Sequence, residues 1–381
     1  LMTYFDNNAT TPLGQIPLQV YKNALEEDWS NPSSPYLAAS RVRAKMEKAR
    51  EELADSLKLK SDDLIFTSGA TESNNAVFAH AATLSSKNKG CLLSPIEHSS
   101  ILEPARHWFG NRVFNLPVDS GGRVLIDDLE KKIEGNDISL VSLMAANNET
   151  GVLQPWQDVA RVCAQKGVFF HCDATQWVGK IDASELSCCT SFSASGHKFS
   201  GPKGVGWLAC TRPFPLQRGG EQESGWRGGT ENYPSIASMF SAFTESQEAL
   251  ADFSGRASWR DQFEINLLNF LPDTRILGKE HPRLWNTSML VMPKFESLSW
   301  IGKLDKMGFS VSTGSACSTG SGTNPQVASA LNLSVSETRR LIRISSYSNE
   351  CAEDWQNLNS AIEQAYTQLE KEASSSSVIS L

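Results

Sequence analysis

The chain lacks any long apolar run: nothing in its 381 residues approaches the ~20 consecutive apolar positions needed to cross a bilayer. Its start, Leu1-Met2-Thr3-Tyr4-Phe5-Asp6, lacks the basic and apolar regions of a secretory signal, and Leu1 ahead of Met2 reads as an added remnant. The expectation is a cytoplasmic protein that does not engage membranes. None of the eight cysteines forms a C-x-x-C pair, so neither a zinc ribbon nor another metal site is expected. Scattered cysteines without a signal read as reduced thiols, most of them small core residues. Positive charge is not in excess: 35 basic against 43 acidic residues leave a net charge of −8, which disfavours a polyanion-binding surface and hence a nucleic-acid partner. Internal repeats are also missing. With 40% hydrophobic and 20% charged residues, the chain is not disordered. At this length it buries a sizeable core without disulfides or structural metals.

The apolar residues alternate between two periods. Arg41 to Leu57 carries Val42, Met46, Ala49 and Leu53 at helical spacing with charges between them, which predicts an amphipathic helix. Short apolar runs predict buried strands at Leu64-Ile65-Phe66, Cys91-Leu92-Leu93, Leu140 to Met144, Val168-Phe169-Phe170 and Gly206 to Ala209. Helix-compatible stretches such as Pro155 to Gln165 separate several of them. Buried strands alternating with helices predict an α/β fold with a mostly parallel sheet, here over residues 15–250. Pro213-Phe214-Pro215 and the glycines from Gly219 to Gly229 break that pattern, and a helical stretch at Glu245 to Leu268 follows. Beyond it, Leu284 to Met292, a Gly/Ser/Thr loop at 312–323 and Arg339 to Ser345 predict a smaller α+β unit, residues 251–381 joined by 1–14. The polar Ser374-Ser375-Ser376-Ser377 is expected to fray.

Polar clusters follow the apolar runs. Thr67-Ser68-Gly69-Ala70-Thr71-Glu72 lies between a strand and a helix start, where free backbone N–H groups and a positive dipole end suit a phosphate. It matches neither a P-loop nor a GxGxxG, and alone it is equally well an unliganded helix cap. His171-Cys172-Asp173-Ala174-Thr175-Gln176 places Asp173 at the end of a buried strand, where open α/β sheets bind ligands. A carboxylate there wants a cation, such as a protonated pyridine nitrogen, or else caps the next helix. Ser195-Gly196-His197-Lys198, followed by Gly201-Pro202-Lys203-Gly204, holds a lysine between tight turns. Desolvation there would lower its pKa and free an amine for covalent chemistry, though a lysine near glycines is more often merely solvated. His98 suits stacking or proton transfer, and Asn147-Asn148-Glu149-Thr150-Gly151 reads as a turn. Cys317, within Gly314 to Gly322, places a thiol in a small-residue loop, accessible as a nucleophile or sulfur carrier. Arg343 interrupts an apolar stretch and wants a carboxylate from the protein or a substrate.

Taken together and in order, these motifs resemble the cysteine desulfurases, class V aminotransferases that use pyridoxal 5′-phosphate. The resemblance runs from Asp6-Asn7-Asn8-Ala9-Thr10-Thr11-Pro12 through Asn31-Pro32-Ser33-Ser34 to Arg343-Ile344-Ser345. It implies a fold-type I transferase: a large domain with a mostly parallel, mixed seven-stranded sheet flanked by helices, and a smaller α+β domain. It implies that Lys198 bonds the cofactor aldehyde, Asp173 pairs with the pyridine nitrogen, Gln176 bonds the ring hydroxyl and His98 stacks on the ring. Ala70, Thr71, Ser195 and His197 would hold the phosphate, with Thr230 lent by the partner subunit of a homodimer. Asn148 and Arg343 would take the carboxylate of L-cysteine, and Cys317 would be the catalytic thiol on a long loop of the mobile kind.

The implied reaction converts L-cysteine to L-alanine and leaves a persulfide on Cys317 for a sulfur-acceptor protein. An ordinary thiol with pKa ~8.5 is mostly protonated at pH 7, and His98 is the expected acceptor of its proton. Selenocysteine lyase, cysteine sulfinate desulfinase, plain transamination and a catalytically degenerate binding or scaffold homologue are the alternatives. Two departures stand out: Gly196, where a slightly larger residue is usual before His-Lys, and Glu221, where a third glycine is common.

Overall fold

In the computed structural model, which describes residues 2–84, 89–313 and 326–378, the polar N-terminal segment leads into helices α1 (Gln15–Glu27) and α2 (Leu37–Ser56). Helix α2 forms where the apolar spacing predicts it, and Val42, Met46, Ala49 and Leu53 are its buried stripe. The central sheet is built from β2 (Leu64–Thr67), β3 (Gly90–Leu93), β4 (Val113–Asn115), β5 (Ile138–Ser142), β6 (Phe169–Asp173), β7 (Ser191–Ser195) and β8 (Gly206–Cys210), after the short β1 (Thr3–Tyr4). Its seven strands lie in the order β2-β8-β7-β6-β5-β3-β4. Only β8 runs against the others, so the sheet is mixed but mostly parallel. Crossover helices α3 (Ala70–Leu84), α4 (Ser99–Phe109), α5 (Leu129–Gly135) and α6 (Trp156–Lys166) cover it, as parallel strands require. Because β2, β3, β5, β6 and β7 run the same way, the polar clusters that follow them emerge along one edge.

After β8 a strap at 211–232 leads to α7 (Tyr233–Gly255) and α8 (Ala257–Phe270). The helical stretch expected at 245–268 is thus two helices meeting at Arg256, whose guanidinium donates to Tyr347 O at 2.9 Å. A three-stranded sheet follows, with β9 (Arg275–Ile276) and β12 (Leu341–Ser345) flanking β10 (Thr287–Val291). Helices α9 (Ser297–Lys306), α10 (Gln326–Ala330), α11 (Val335–Thr338) and α12 (Ala352–Val378) complete the chain, and β11 (Phe309–Ser310) pairs with β1. One core centres on the large sheet, with Trp156, Phe170, Phe192 and Trp207. Another joins Phe5, Phe263, Leu290, Trp300, Ile342 and Trp355.

Helix α12 continues through the serines expected to fray. Ser374 Oγ donates to Glu370 O at 2.9 Å and Ser375 Oγ to Lys371 O at 3.0 Å, so these hydroxyls bond back onto the helix. Among the seven described cysteines, Cys91, Cys163, Cys172, Cys189 and Cys210 are buried and all seven are free thiols. Among the described residues no helix is long and apolar enough to cross a membrane.

Candidate active site

Five strand ends supply the site, with the N-terminal segment 6–11 laid across them. After β6, Asp173 is buried at 5% exposure. Its carboxylate accepts from Thr175 N at 3.0 Å and from Asn74 Nδ2 at 3.0 Å. Asn74 therefore turns Oδ1 the other way, where Ser193 Oγ (2.7 Å) and His171 Nε2 (2.8 Å) donate. Burial pulls His171 down to about 4 against the opposing pull of Asp173, so the ring is neutral and its Nδ1 accepts from Ser191 Oγ at 2.8 Å. Among the described residues Asp173 has no ion-pair partner. A buried carboxylate held by neutral donors alone fits a cationic group placed beside it.

Lys198 follows β7 on a one-turn 3₁₀ segment, Gly196–Lys198. Its Nζ donates to Asn8 O at 2.7 Å and Ala9 O at 2.8 Å. Burial and, second, the Arg343 charge pull its pKa down to about 8, against Asp173 and Asp6. The N-terminal segment is pinned there by Thr11 N donating to His197 O at 2.9 Å and by Ser200 N donating to Thr11 Oγ1 at 2.7 Å. Gly196 is accounted for by its neighbour: an added Cβ would lie 2.9 Å from Met239 Cγ, so Met239 fills the space a larger residue would take.

Beside Lys198 is a cleft of about 370 Å³ lined by Ala9, Thr10, the 68–72 turn, Ser195, His197, Lys203 and Gly204. The first turn of α3 opens into it. Ala70 N donates to Ser195 Oγ at 2.8 Å, and Gly69, at φ +144°, makes the entry that a side chain resists. Thr71 is exposed in the same lining. His197 pairs with Thr10 Oγ1 at 3.0 Å, and burial, reinforced by Lys198, Lys203 and Lys180, takes its pKa to about 4. Neutral hydroxyls, backbone N–H groups at a helix start and a nearby lysine form a donor set that suits a phosphate.

His98 caps α4 and is open to solvent. Its Nδ1 accepts from Ser100 N at 3.1 Å and lies 2.9 Å from Ser100 Oγ, which itself accepts from Asn74 Nδ2. Desolvation lowers the ring's pKa; Lys198 adds to the lowering and Asp173 opposes it. A neutral ring with Nδ1 accepting carries its proton on Nε2. In this tautomer Nε2 is a donor, the opposite of what the expected role as acceptor of a thiol proton uses.

Gln176 is buried, with Nε2 donating to Asn8 O at 2.9 Å and Oε1 accepting from Lys180. Arg343, on β12, donates to Asp6 at 2.6 Å and to Asn148 O at 3.1 Å, so Asp6 is one carboxylate partner of this guanidinium. Glu149 beside it is buried, and burial outweighs the Arg343 charge to raise its pKa to about 7. Thr230 is exposed and does not line the cleft, and neither does Glu221. Cys317 and the loop at 314–325 lie outside the described residues.

The site residues that sequence reasoning missed are Asn8, Asn74, Ser100, Glu149, His171 and Lys180. A faint signal existed: Ser191, Ser193 and Ser195 alternate along a strand buried throughout, so polar groups there had to be bonded to something internal.

The Aminotransferase class-V family profile matches residues 3–358. "Cysteine desulfurase IscS" of Dictyoglomus turgidum is 38% identical over 349 residues, covering 89% of this chain and 88% of that relative. "Cysteine desulfurase NifS" of Azotobacter vinelandii is 33% identical, covering 90% and 87%. Among solved structures, one titled "NIFS-LIKE PROTEIN" superposes with a TM-score of 0.89 at 32% identity, over 96% of this chain and 100% of its own. Another, "SspA in complex with cysteine", gives 0.77 at 29% identity, over 90% and 98%.

Proposed function

The chain belongs to the class-V aminotransferase family, among its cysteine desulfurases, and from that premise we propose that it binds pyridoxal 5′-phosphate on Lys198 and moves sulfur from L-cysteine to Cys317. The observation that carries this reading is two buried groups near enough for their charges to interact: the Lys198 amine, held by Asn8 O and Ala9 O and lowered to about 8, and the Asp173 carboxylate, which has no ion-pair partner among the described residues. Bound there, pyridoxal phosphate supplies an electron sink that stabilises the charge left when the α-proton of cysteine departs.

The chain's own residues divide the remaining work. Asp173, oriented by Asn74 and Thr175 N, keeps the ring nitrogen protonated. Ala70, Thr71, Ser195 and His197 hold the phosphate at the start of α3, and Thr230 of a second copy completes that site in a homodimer. Gln176 would offer Nε2 to the ring hydroxyl, and His98 would stack on the ring with its Nε2 proton available as a donor. Asn148 and Arg343 take the substrate carboxylate. Lys198, with a pKa about 8, holds and releases the α-proton near neutral pH, where an ordinary lysine would stay charged. Cys317 Sγ attacks the substrate sulfur as the carbon–sulfur bond breaks. Cysteine and the thiol thus become alanine and a persulfide, which passes to an acceptor protein. Residues 15–250 form the cofactor-holding unit, and 1–14 with 251–381 carry the thiol.

Incubation of the reconstituted wild type and Cys317→Ser with L-cysteine and a dithiol to reduce the persulfide, quantifying alanine and released sulfide, tests the reading. The wild type should form both, and Cys317→Ser should bind the cofactor yet form neither. Undiminished alanine from Cys317→Ser would favour a lyase that does not use this thiol.

A further inference from the structure

A buried lysine bonded to Gln176 has no task in that scheme. Lys180 lies four residues beyond Gln176 and is 2% exposed. Among the described residues no carboxylate lies within ion-pair distance of it. Its Nζ instead donates to Gln176 Oε1 and, at 3.3 Å, to Asn8 Oδ1. Burial, with Lys198 and Arg343 nearby, lowers its pKa well below 10.5. An amine held among neutral acceptors is costly, and an apolar side chain of similar length would fill the same space.

What the amine does is visible in its partners. A glutamine amide can sit in either of two orientations, but the Lys180 donor on one side and the Asn8 carbonyl, which can only accept, on the other fix the oxygen toward Lys180. Lys180 so turns Gln176 Nε2 toward Asn8 O, 2.9 Å away. The same carbonyl accepts from Lys198 Nζ at 2.7 Å. Asn8 is itself held from behind, because Asn286 Nδ2 donates to its Oδ1 at 3.2 Å. Lys180, Gln176, Asn8 and Lys198 therefore form one continuous chain of hydrogen bonds that ends at the reactive amine.

We propose that Lys180 is a positioning residue that locks the Gln176 amide, and through the shared acceptor Asn8 O sets the place of Lys198. The locked amide keeps one N–H for Asn8 O and one for the ring hydroxyl of the cofactor. This inference rests on the pyridoxal phosphate reading above. Were Lys180 purely space-filling, Asn8 O alone among the described residues would orient the Gln176 amide, and Lys180 would have no link to the cofactor.

The test is a double-mutant cycle on Lys180→Met and Gln176→Leu, read by the pH midpoint of the visible band of bound pyridoxal phosphate and by its dissociation constant. A wild type that forms no visible band overturns the cofactor reading itself, separately from the role of Lys180. Given the band, Lys180→Met should move its midpoint by about half a pH unit and weaken binding about tenfold. In the Gln176→Leu background the same substitution should change neither. Effects that multiply in the double variant, or a Lys180→Met band identical to wild type, overturn the proposal. Should Lys180→Met fail to fold, Lys180→Gln, which keeps a neutral donor, should match wild type in both readouts, and a band as displaced as that of Gln176→Leu overturns it.

Discussion

His98 shows how a single hydrogen bond assigns a chemical role. A backbone N–H can only donate, so Ser100 N at 3.1 Å from Nδ1 fixes the neutral ring with its proton on Nε2. A base and a donor respond differently to pH. If His98 removed the thiol proton, its loss would be made good above pH ~8.5, where a free thiol ionises unaided. With Nε2 as a donor the loss persists. His98→Gln should therefore lower the rate of alanine formation by ~10²-fold or more at neutral pH, and raising the pH to about 9 should not restore it. Recovery at high pH would return the base role to this ring. Lys198, Asp173 and His98 were legible as candidates because each follows an apolar run, where an α/β sheet delivers ligand contacts. Asn8, Asn74 and Lys180 were not, since an asparagine in a polar segment reads as a turn and a lysine as solvated. Only the packing shows that Asn74 links Asp173, His171 and Ser193.

At the scale of elements, the strap after β8 carries Thr230 and is anchored at Glu223 as well as by the Arg227–Glu72 ion pair. Glu223 and Ser224 both adopt positive φ, 51° and 56°, which side-chain-bearing residues resist. The conformation is held because Arg50 of α2 clasps the Glu223 carboxylate with two bonds of 2.7 Å, and Phe66 N of β2 donates to it at 2.7 Å. Both ends of the pair are buried, with side-chain exposures of 8% and 2%. Removing the cation alone strands a carboxylate in the core. Arg50→Met should therefore cost ~3–5 kcal/mol, read as a lower urea midpoint, and adding Glu223→Gln should recover part of it. Equal loss in the single and double variants would mean that the clasp is packing and not charge. The strap's Pro and Gly residues announced a break in the sequence, but not the clasp, because Arg50 and Glu223 are 173 positions apart. The strand β7, Ser191–Ser195, escaped for a related reason: its alternating serines hide a fully buried strand. Gly206 lies at its partner edge, where a Cβ would fall 2.3 Å from Ala194 O and 2.7 Å from Gly69 Cα, so the turn after β2 closes only over a glycine.

Across the whole molecule, the two largest of four apolar cores meet at a polar seam, and the N-terminal segment is stitched into both. Phe5 packs edge-on against Trp355 in one core at 4.9 Å between ring centroids. Six residues later, Thr11 is bonded to the Lys198 turn of the other unit. Asn8 is the knot between them. Its Nδ2 donates to Thr287 Oγ1 at 2.9 Å and to Asn148 O at 3.2 Å, and its Oδ1 accepts from Asn286 and Lys180. No alternation of apolar residues could reveal this seam, because it is made of groups that periodicity treats as loop. Each bond contributes ~1 kcal/mol net, but a seam has no apolar area to fall back on when its donors are lost. Asn8→Ala leaves Thr287, Asn286 and Lys180 without that partner, so the expected cost is ~2–4 kcal/mol. The loss should also fall on the coupling between the two cores. Wild type should melt in one transition by both tryptophan fluorescence and far-ultraviolet circular dichroism. Asn8→Ala should melt at a lower temperature, with the two probes no longer coincident. A single coincident transition at the wild-type midpoint would mean that the cores are coupled elsewhere, and that Asn8 serves the Lys198 site alone.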